Sequence, residues 1–207
     1  MDILEQKKQI LIGGISTSEK ELKDILKAWL AVSIAFGIVL SSSFSDFYIK
    51  FIIASLTVGI GFLFHELGHK LVAQRYGCFA EFRSFDSMLL LAIAMSFFGF
   101  IFAAPGAVMI TGRVAKRKYG VISAAGPIVN LVMAIVFFAL IFAGLPNLFK
   151  SAAYYGFVIN SWLALFNMLP FWLFDGYKIL KWNKLAYTGI VSAAVLLMLI
   201  QNFIPLK

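Results

Sequence analysis

Residues Phe51–Ala73 read FIIASLTVGIGFLFHELGHKLVA. As a helix, this stretch extends about 34 Å at 1.5 Å per residue, enough to cross roughly 30 Å of hydrocarbon. Near its end come His65, Glu66 and His69. Ionisable groups inside a span mark a functional site by default. The i, i+4 spacing stacks His65 and His69 on one helix face, so both imidazoles can reach a single metal ion. Glu66 stands next to them, where it can act on a water bound to that ion. Neutral imidazole suits zinc, and a catalytic zinc keeps one position open. These are the only 2 histidines in the chain. The bland alternative, two histidines satisfied within a helix bundle, leaves Glu66 unexplained.

The rest of the composition agrees with a bilayer. Of 207 residues, 61% are hydrophobic and 14% charged, with 22 phenylalanines. Soluble domains average about 45–50% and 25%. A soluble enzyme, a disordered segment and a nucleic-acid module are all poor fits. The net charge of +8 could attract nucleic acid, but in a membrane protein basic residues collect in cytoplasmic loops. The expected partner is therefore the lipid bilayer and not nucleic acid. A lone cysteine, Cys78, excludes an internal disulfide.

The pattern predicts an all-α polytopic membrane protein forming one domain over residues 1–207. Five full spans are expected, at Ala28–Phe44, Phe51–Ala73, Val121–Leu145, Tyr154–Phe174 and Leu185–Ile204. Residues 1–27 carry mixed charges and read as a cytoplasmic or interfacial segment, not a signal peptide. Within it Ile10–Ile12 could form a short strand before Gly13-Gly14, and Ser18 with Glu21 resembles a capping box. Leu22, Ile25 and Leu26 then give the following helix an apolar face. Met88–Ile110 is also apolar but contains Gly99 and Pro105-Gly106. If it enters the membrane and returns, 15 of the 18 lysines and arginines lie inside and 3 outside. If it crosses, giving six spans, the split becomes 10 to 8, with Arg113, Lys116, Arg117 and Lys118 outside. The charge bias prefers a re-entrant segment, a cytoplasmic N-terminus and a site toward the cytoplasmic side. Phe79–Phe85 and Ala107–Val114 read as short strands on that side.

Two histidines are too few ligands, since catalytic zinc typically takes three from the protein. The remaining donor should be a carboxylate at membrane depth. Asp175 fits, at the end of NMLPFWLFDG from Asn167 to Gly176. Alone it reads equally well as an interfacial residue capping its helix; beside two waiting histidines the ligand reading wins. Pro170 should kink that span one turn before Asp175.

H-E-L-G-H in one span and N-x-x-P-x-x-x-x-D-G in a later one resemble the site-2 protease family of intramembrane zinc metalloproteases. The resemblance covers a core of residues 51–177. It implies that His65, His69 and Asp175 hold one zinc ion, that Glu66 is the general base, and that the substrate is a transmembrane protein cut within the bilayer. Asn167 and Pro170 would belong to the substrate-binding surface. So would Gly126 and Asn130 of Gly126-Pro127-Ile128-Val129-Asn130, which looks like the family's G-P-x-x-N element. Asn130 reads equally well as a polar contact between helices. Where many members have a second proline before the aspartate, this chain has Leu173.

The expected function is thus a zinc metalloendopeptidase of the cell membrane. The alternatives are a non-catalytic metal-binding carrier or scaffold, and a hydrolase acting on a non-peptide substrate. The topology is testable by cysteine labelling. In a Cys78→Ala background, Lys116→Cys and Lys118→Cys should resist an impermeant thiol reagent applied to intact cells and react once the cells are opened. Labelling from outside would overturn the re-entrant arrangement.

Overall fold

The computed structural model describes residues 9–101, 105–112 and 114–204; Arg113 of the basic cluster lies outside them. The chain begins with a hairpin of β1 (Gln9–Ile12) and β2 (Ile15–Ser18). Gly13 and Gly14 form its turn at φ 58° and 84°. Two-residue hairpin turns that match strand twist need positive φ, which glycine adopts without strain. Ser18 then caps α1 (Glu19–Leu40), accepting the Glu21 amide at 3.3 Å.

The reciprocal half of the expected capping box does not form. The Glu21 side chain is fully buried and serves other partners. Its Oε2 accepts from Lys70 Nζ at 2.6 Å and from Thr17 Oγ1 at 2.7 Å, and its Oε1 accepts the Phe82 amide at 2.8 Å. Gln74, one turn beyond Lys70, bonds both backbone groups of Ser16 and the carbonyl of Ala80. Thus α1 is not simply an interfacial helix with an apolar face. Glu21 and Asp24 point inward, and Leu22 and Leu26 are exposed.

The HExxH stretch lies in a continuous helix, Phe44–Arg75. It comprises a short 3-10 turn, α2 (Phe47–Ala54), a π turn (Ser55–Gly59) and α3 (Ile60–Arg75). The π turn frees carbonyls, and a partner from α1 answers: Trp29 Nε1 donates to the Ser55 carbonyl at 3.1 Å. Gly59 lets that indole approach, since a Cβ there would lie 2.7 Å from Trp29 Nε1. A π turn inserts one residue, rotating everything after it by about 100° relative to an uninterrupted helix. The phase of the histidine face is therefore set by this turn.

After α3, β3 (Phe79–Ser84) leads into α4 (Asp86–Ser96), and β4 (Gly106–Thr111) returns. The strands pair antiparallel from Phe79↔Thr111 to Ser84↔Gly106. The apolar excursion between them therefore ends beside its own start, with the Phe85 amide on the Pro105 carbonyl at 3.1 Å. The 11 residues of α4 extend only about 16 Å. Gly99, at φ 82°, makes a turn soon after α4. Leu89 of α4, Phe82 of β3, Ala28 and Val32 of α1, and Phe62 of α3 share one core cluster.

Four further helices complete the fold: α5 (Lys116–Ile141), α6 (Asn147–Asn167), α7 (Asp175–Trp182) and α8 (Lys184–Ile200). Among the described residues, three helices are long and apolar enough to cross a membrane: Phe44–Arg75, Lys116–Ile141 and Lys184–Phe203. The other two expected spans, Ala28–Phe44 and Tyr154–Phe174, overlap α1 and α6, of 22 and 21 residues, but each runs past the end of its helix. One expected span is also corrected. The span Tyr154–Phe174 is not a helix kinked at Pro170; α6 ends at Asn167, and an irregular segment leads to α7. A proline lacks the amide that would bond four residues back and disfavours helical geometry in the residue before it. The amides of Met168 and Leu169 accordingly close three-residue turns onto Leu165 and Phe166.

The Glu21–Lys70 pair is testable through stability. Removing one partner of a buried pair leaves an uncompensated charge and costs about 3–5 kcal/mol. Glu21→Ala should lower the unfolding midpoint in detergent well below wild type, and adding Lys70→Met should recover part of the loss. An unchanged midpoint for Glu21→Ala would count against this role.

Candidate metal centre

On α3 the two Nε2 atoms of His65 and His69 lie 3.1 Å apart, with the rings nearly perpendicular at 85°. His69 Nδ1 lies 2.8 Å from the Ile122 carbonyl of α5. A carbonyl only accepts, so Nδ1 carries the proton and Nε2 keeps its lone pair for the centre. Asp175 supplies the third donor. Its Oδ2 lies 3.0 Å from His69 Nε2 and 3.5 Å from His65 Nε2. All three residues are buried, and their donor atoms lie within 4.8 Å of one another.

Asp175 reaches this place because α7 starts there, not because α6 ends there. The negative carboxylate occupies the first turn of α7, where the helix dipole favours it. Gly176 makes the approach possible. A Cβ at that position would collide with the carbonyl of Met168 at the end of α6. The D-G pair is thus one candidate ligand and the small residue that lets it arrive.

Two other glycines, Gly61 and Gly68, bring helices against α3. A Cβ on Gly61 would strike Asn160 Oδ1 of α6, and one on Gly68 would lie 3.2 Å from the Ala125 carbonyl of α5. Gly126 is closer still to the chemistry. A Cβ there would run into the Nε2 atoms of both histidines. The backbone of α5 thus leaves vacant the space that the two lone pairs face. Convergent, buried nitrogen and oxygen donors around such a cradle fit a zinc ion.

The remaining expected site residues are placed differently. Glu66 lines a cavity of about 270 Å³ on the α1 side of α3, together with Leu22, Ile25, Leu63, Leu67 and Phe82. Asn130 is fully buried, and neither its amide nitrogen nor its oxygen has a hydrogen-bond partner among the described residues. It is therefore not a satisfied polar contact between helices. Asn167 donates to the Leu163 carbonyl of its own helix at 2.9 Å. Pro170 lies exposed in the α6–α7 connection. The structure thus gathers His65, His69, Asp175 and Gly126, and leaves Asn167 and Pro170 where the last helical turn opens.

Sequence reasoning missed Ile122, whose contribution is a backbone carbonyl and has no side-chain signal. It also missed Asn160, fully buried with an unpartnered Oδ1. Lys178 was counted only as a loop charge; its Nζ lies 3.2 Å from Asp175 Oδ1. The i, i+3 spacing from Asp175 would have flagged it, had α7 been expected to start there.

Fold and site together define a candidate metal centre held among apolar helices, and the comparisons place the chain beside zinc metalloproteases. The chain is 39% identical over 190 residues to "Putative zinc metalloprotease MJ0611" of Methanocaldococcus jannaschii, covering 90% of this chain and 96% of that one. It is 29% identical over 159 residues to "Zinc metalloprotease MJ0392" of the same organism, covering 74% of this chain and 39% of that longer protein. No protein-family model and no solved structure gives a significant match. The chain belongs to this zinc metalloprotease family.

Gly126 yields a direct test. Gly126→Val should abolish zinc retention, measured as metal per chain after purification, while the helical circular dichroism of the detergent-solubilised protein stays near wild type. Full zinc occupancy in that variant would refute the cradle.

Proposed function

We propose that the protein is an intramembrane zinc metalloendopeptidase of the site-2 protease type. It hydrolyses a peptide bond in or near a transmembrane segment of a membrane protein substrate. The observation that carries this reading is the meeting of His65, His69 and Asp175, from α3 and α7, inside an assembly of membrane-compatible helices.

His65 and His69 through Nε2, and Asp175 through its carboxylate, would hold one zinc ion. When bound, zinc polarises the scissile carbonyl and makes a nearby water acidic enough to attack near neutral pH. Glu66 is the general base: it takes a proton from the attacking water and delivers it to the departing amine. The cavity beside Glu66 is lined mainly by apolar side chains, with Thr17, Glu21 and Lys70 also on its wall, and its apolar part suits side chains drawn from a membrane helix. A helical substrate hides its carbonyls in its own hydrogen bonds, so it must unwind before attack. Unwound backbone then needs partners. The open amide and oxygen of Asn130 offer them, and Asn167, Pro170 and Gly126 are the further residues proposed to bind substrate. The outer edge of β3 is occupied at Phe82 by Glu21, which leaves β4 as the edge for an added substrate strand.

The protein spans the cell membrane five times with its N-terminus in the cytoplasm. The segment between β3 and β4 dips into the bilayer and returns, and the metal lies toward the cytoplasmic face. That topology keeps the basic cluster near Lys116 inside.

The decisive comparison is wild type against Glu66→Gln. The variant should keep about one zinc per chain and lose nearly all proteolysis, since a base is not a ligand. Wild-type-dependent new termini in the membrane proteome should vanish with it. A zinc-loaded Glu66→Gln protein that produced the same cleavage pattern as wild type would favour a metal carrier or scaffold instead.

A further inference from the structure

The two carboxylate oxygens of Asp175 face different partners. Oδ2 points at the histidines, 3.0 Å and 3.5 Å from their Nε2 atoms. Oδ1 lies 3.2 Å from Lys178 Nζ. Lys178 stands one turn along α7, and its Nζ also sits 5.6 Å over the ring of Tyr119 on α5. The lysine is thus braced from two helices. An i, i+3 ion pair on an open helix surface adds only a few tenths of a kcal/mol. Here the anion is buried, its side chain only 10% exposed, and faces the metal cradle. The pair therefore has a different consequence.

A carboxylate can bind a metal ion through one oxygen or through both. Two imidazoles and a two-oxygen carboxylate would fill four positions and close the site. A catalytic zinc keeps one position open. We infer that Lys178 is a positioning residue of the metal centre, holding Oδ1 so that Asp175 ligates through Oδ2 alone. The ammonium donates three hydrogen bonds and accepts none, so it competes for the oxygen without competing for the metal. Arginine at this position would do the same through its guanidinium; a neutral side chain would not. The inference rests on the zinc-ligand reading of His65, His69 and Asp175.

Cobalt(II) tests it without any substrate, because its visible absorption weakens as coordination number rises. The full chain in detergent is loaded with cobalt as wild type, Lys178→Met, Lys178→Arg and His65→Ala. Wild type should bind one ion with an intense visible band. Lys178→Met should also bind one ion, with the band reduced several-fold, and Lys178→Arg should restore it. Proteolysis should fall about 10–100-fold in Lys178→Met, the usual cost of losing a group that orients a metal ligand, and recover in Lys178→Arg. Identical cobalt spectra for wild type and Lys178→Met would overturn the inference. So would a Lys178→Met protein that binds no metal, since that would make the lysine a requirement for assembly and not a control on ligation. Failure of the underlying zinc reading looks different: wild type would bind no cobalt, or His65→Ala would bind it as well as wild type.

Discussion

In apolar surroundings a backbone amide or carbonyl cannot turn to water, so each departure from regular helix needs a partner inside the protein. This chain departs twice near its functional centre, and each departure is answered by a nearby group. In the π turn, Trp29 takes the Ser55 carbonyl, and the Thr57 hydroxyl donates to Ile53 at 2.7 Å. Between α6 and α7, the amides of Met168 and Leu169 fold back on the last helical turn. The first departure sets which way the histidines face. The second allows a carboxylate from a helix far along the chain to meet them. Regular helices alone would put the donors on the wrong faces or at different depths.

Close approach is the second requirement, and glycine meets it at each seam. Gly61 admits Asn160, Gly68 admits Ala125, Gly126 borders both imidazoles and Gly176 seats α7 on Met168. Gly61 and Gly126 face side chains, Gly176 faces backbone and Gly68 both, and at membrane depth such contacts cohere through dispersion and geometry in place of the hydrophobic effect. The polar cluster of Glu21, Lys70, Thr17 and Gln74 does comparable work at the other end of α3, tying the hairpin, α1 and β3 to the helix that carries the histidines.

Much of the centre was legible in the sequence, because helical spacing alone puts His65 and His69 on one face and Glu66 beside them. Asp175 followed by elimination, since few carboxylates stand at the end of an apolar run. Charge counting led to the expectation that Met88–Ile110 returns to the side it left; the structure pairs β3 with β4, which sets the two ends of that segment side by side. What could not be read came from tertiary competition. Glu21 satisfied the spacing of a capping box, but a buried ammonium outbid the local amide. Pro170 inside an apolar run reads as a kink; the freed turn instead terminates the helix, because α7 has its own seat on Met168. The π turn had no signal apart from its partner, Trp29, which lies in another helix. Lys178 read as a loop charge until α7 placed it one turn beyond Asp175.

The order in which the chain is made gives the split metal centre a temporal meaning. More than a hundred residues separate His65 from Asp175. The hairpin and α1, which brace the histidine helix through Glu21, leave the ribosome before that helix does. Asp175 emerges long afterwards, once α5 has supplied the Ile122 carbonyl and the Gly126 cradle. A half-synthesised chain therefore carries an oriented histidine pair without the carboxylate that completes it. Chain order thus delays the gathering of all three donors until α7 has been made.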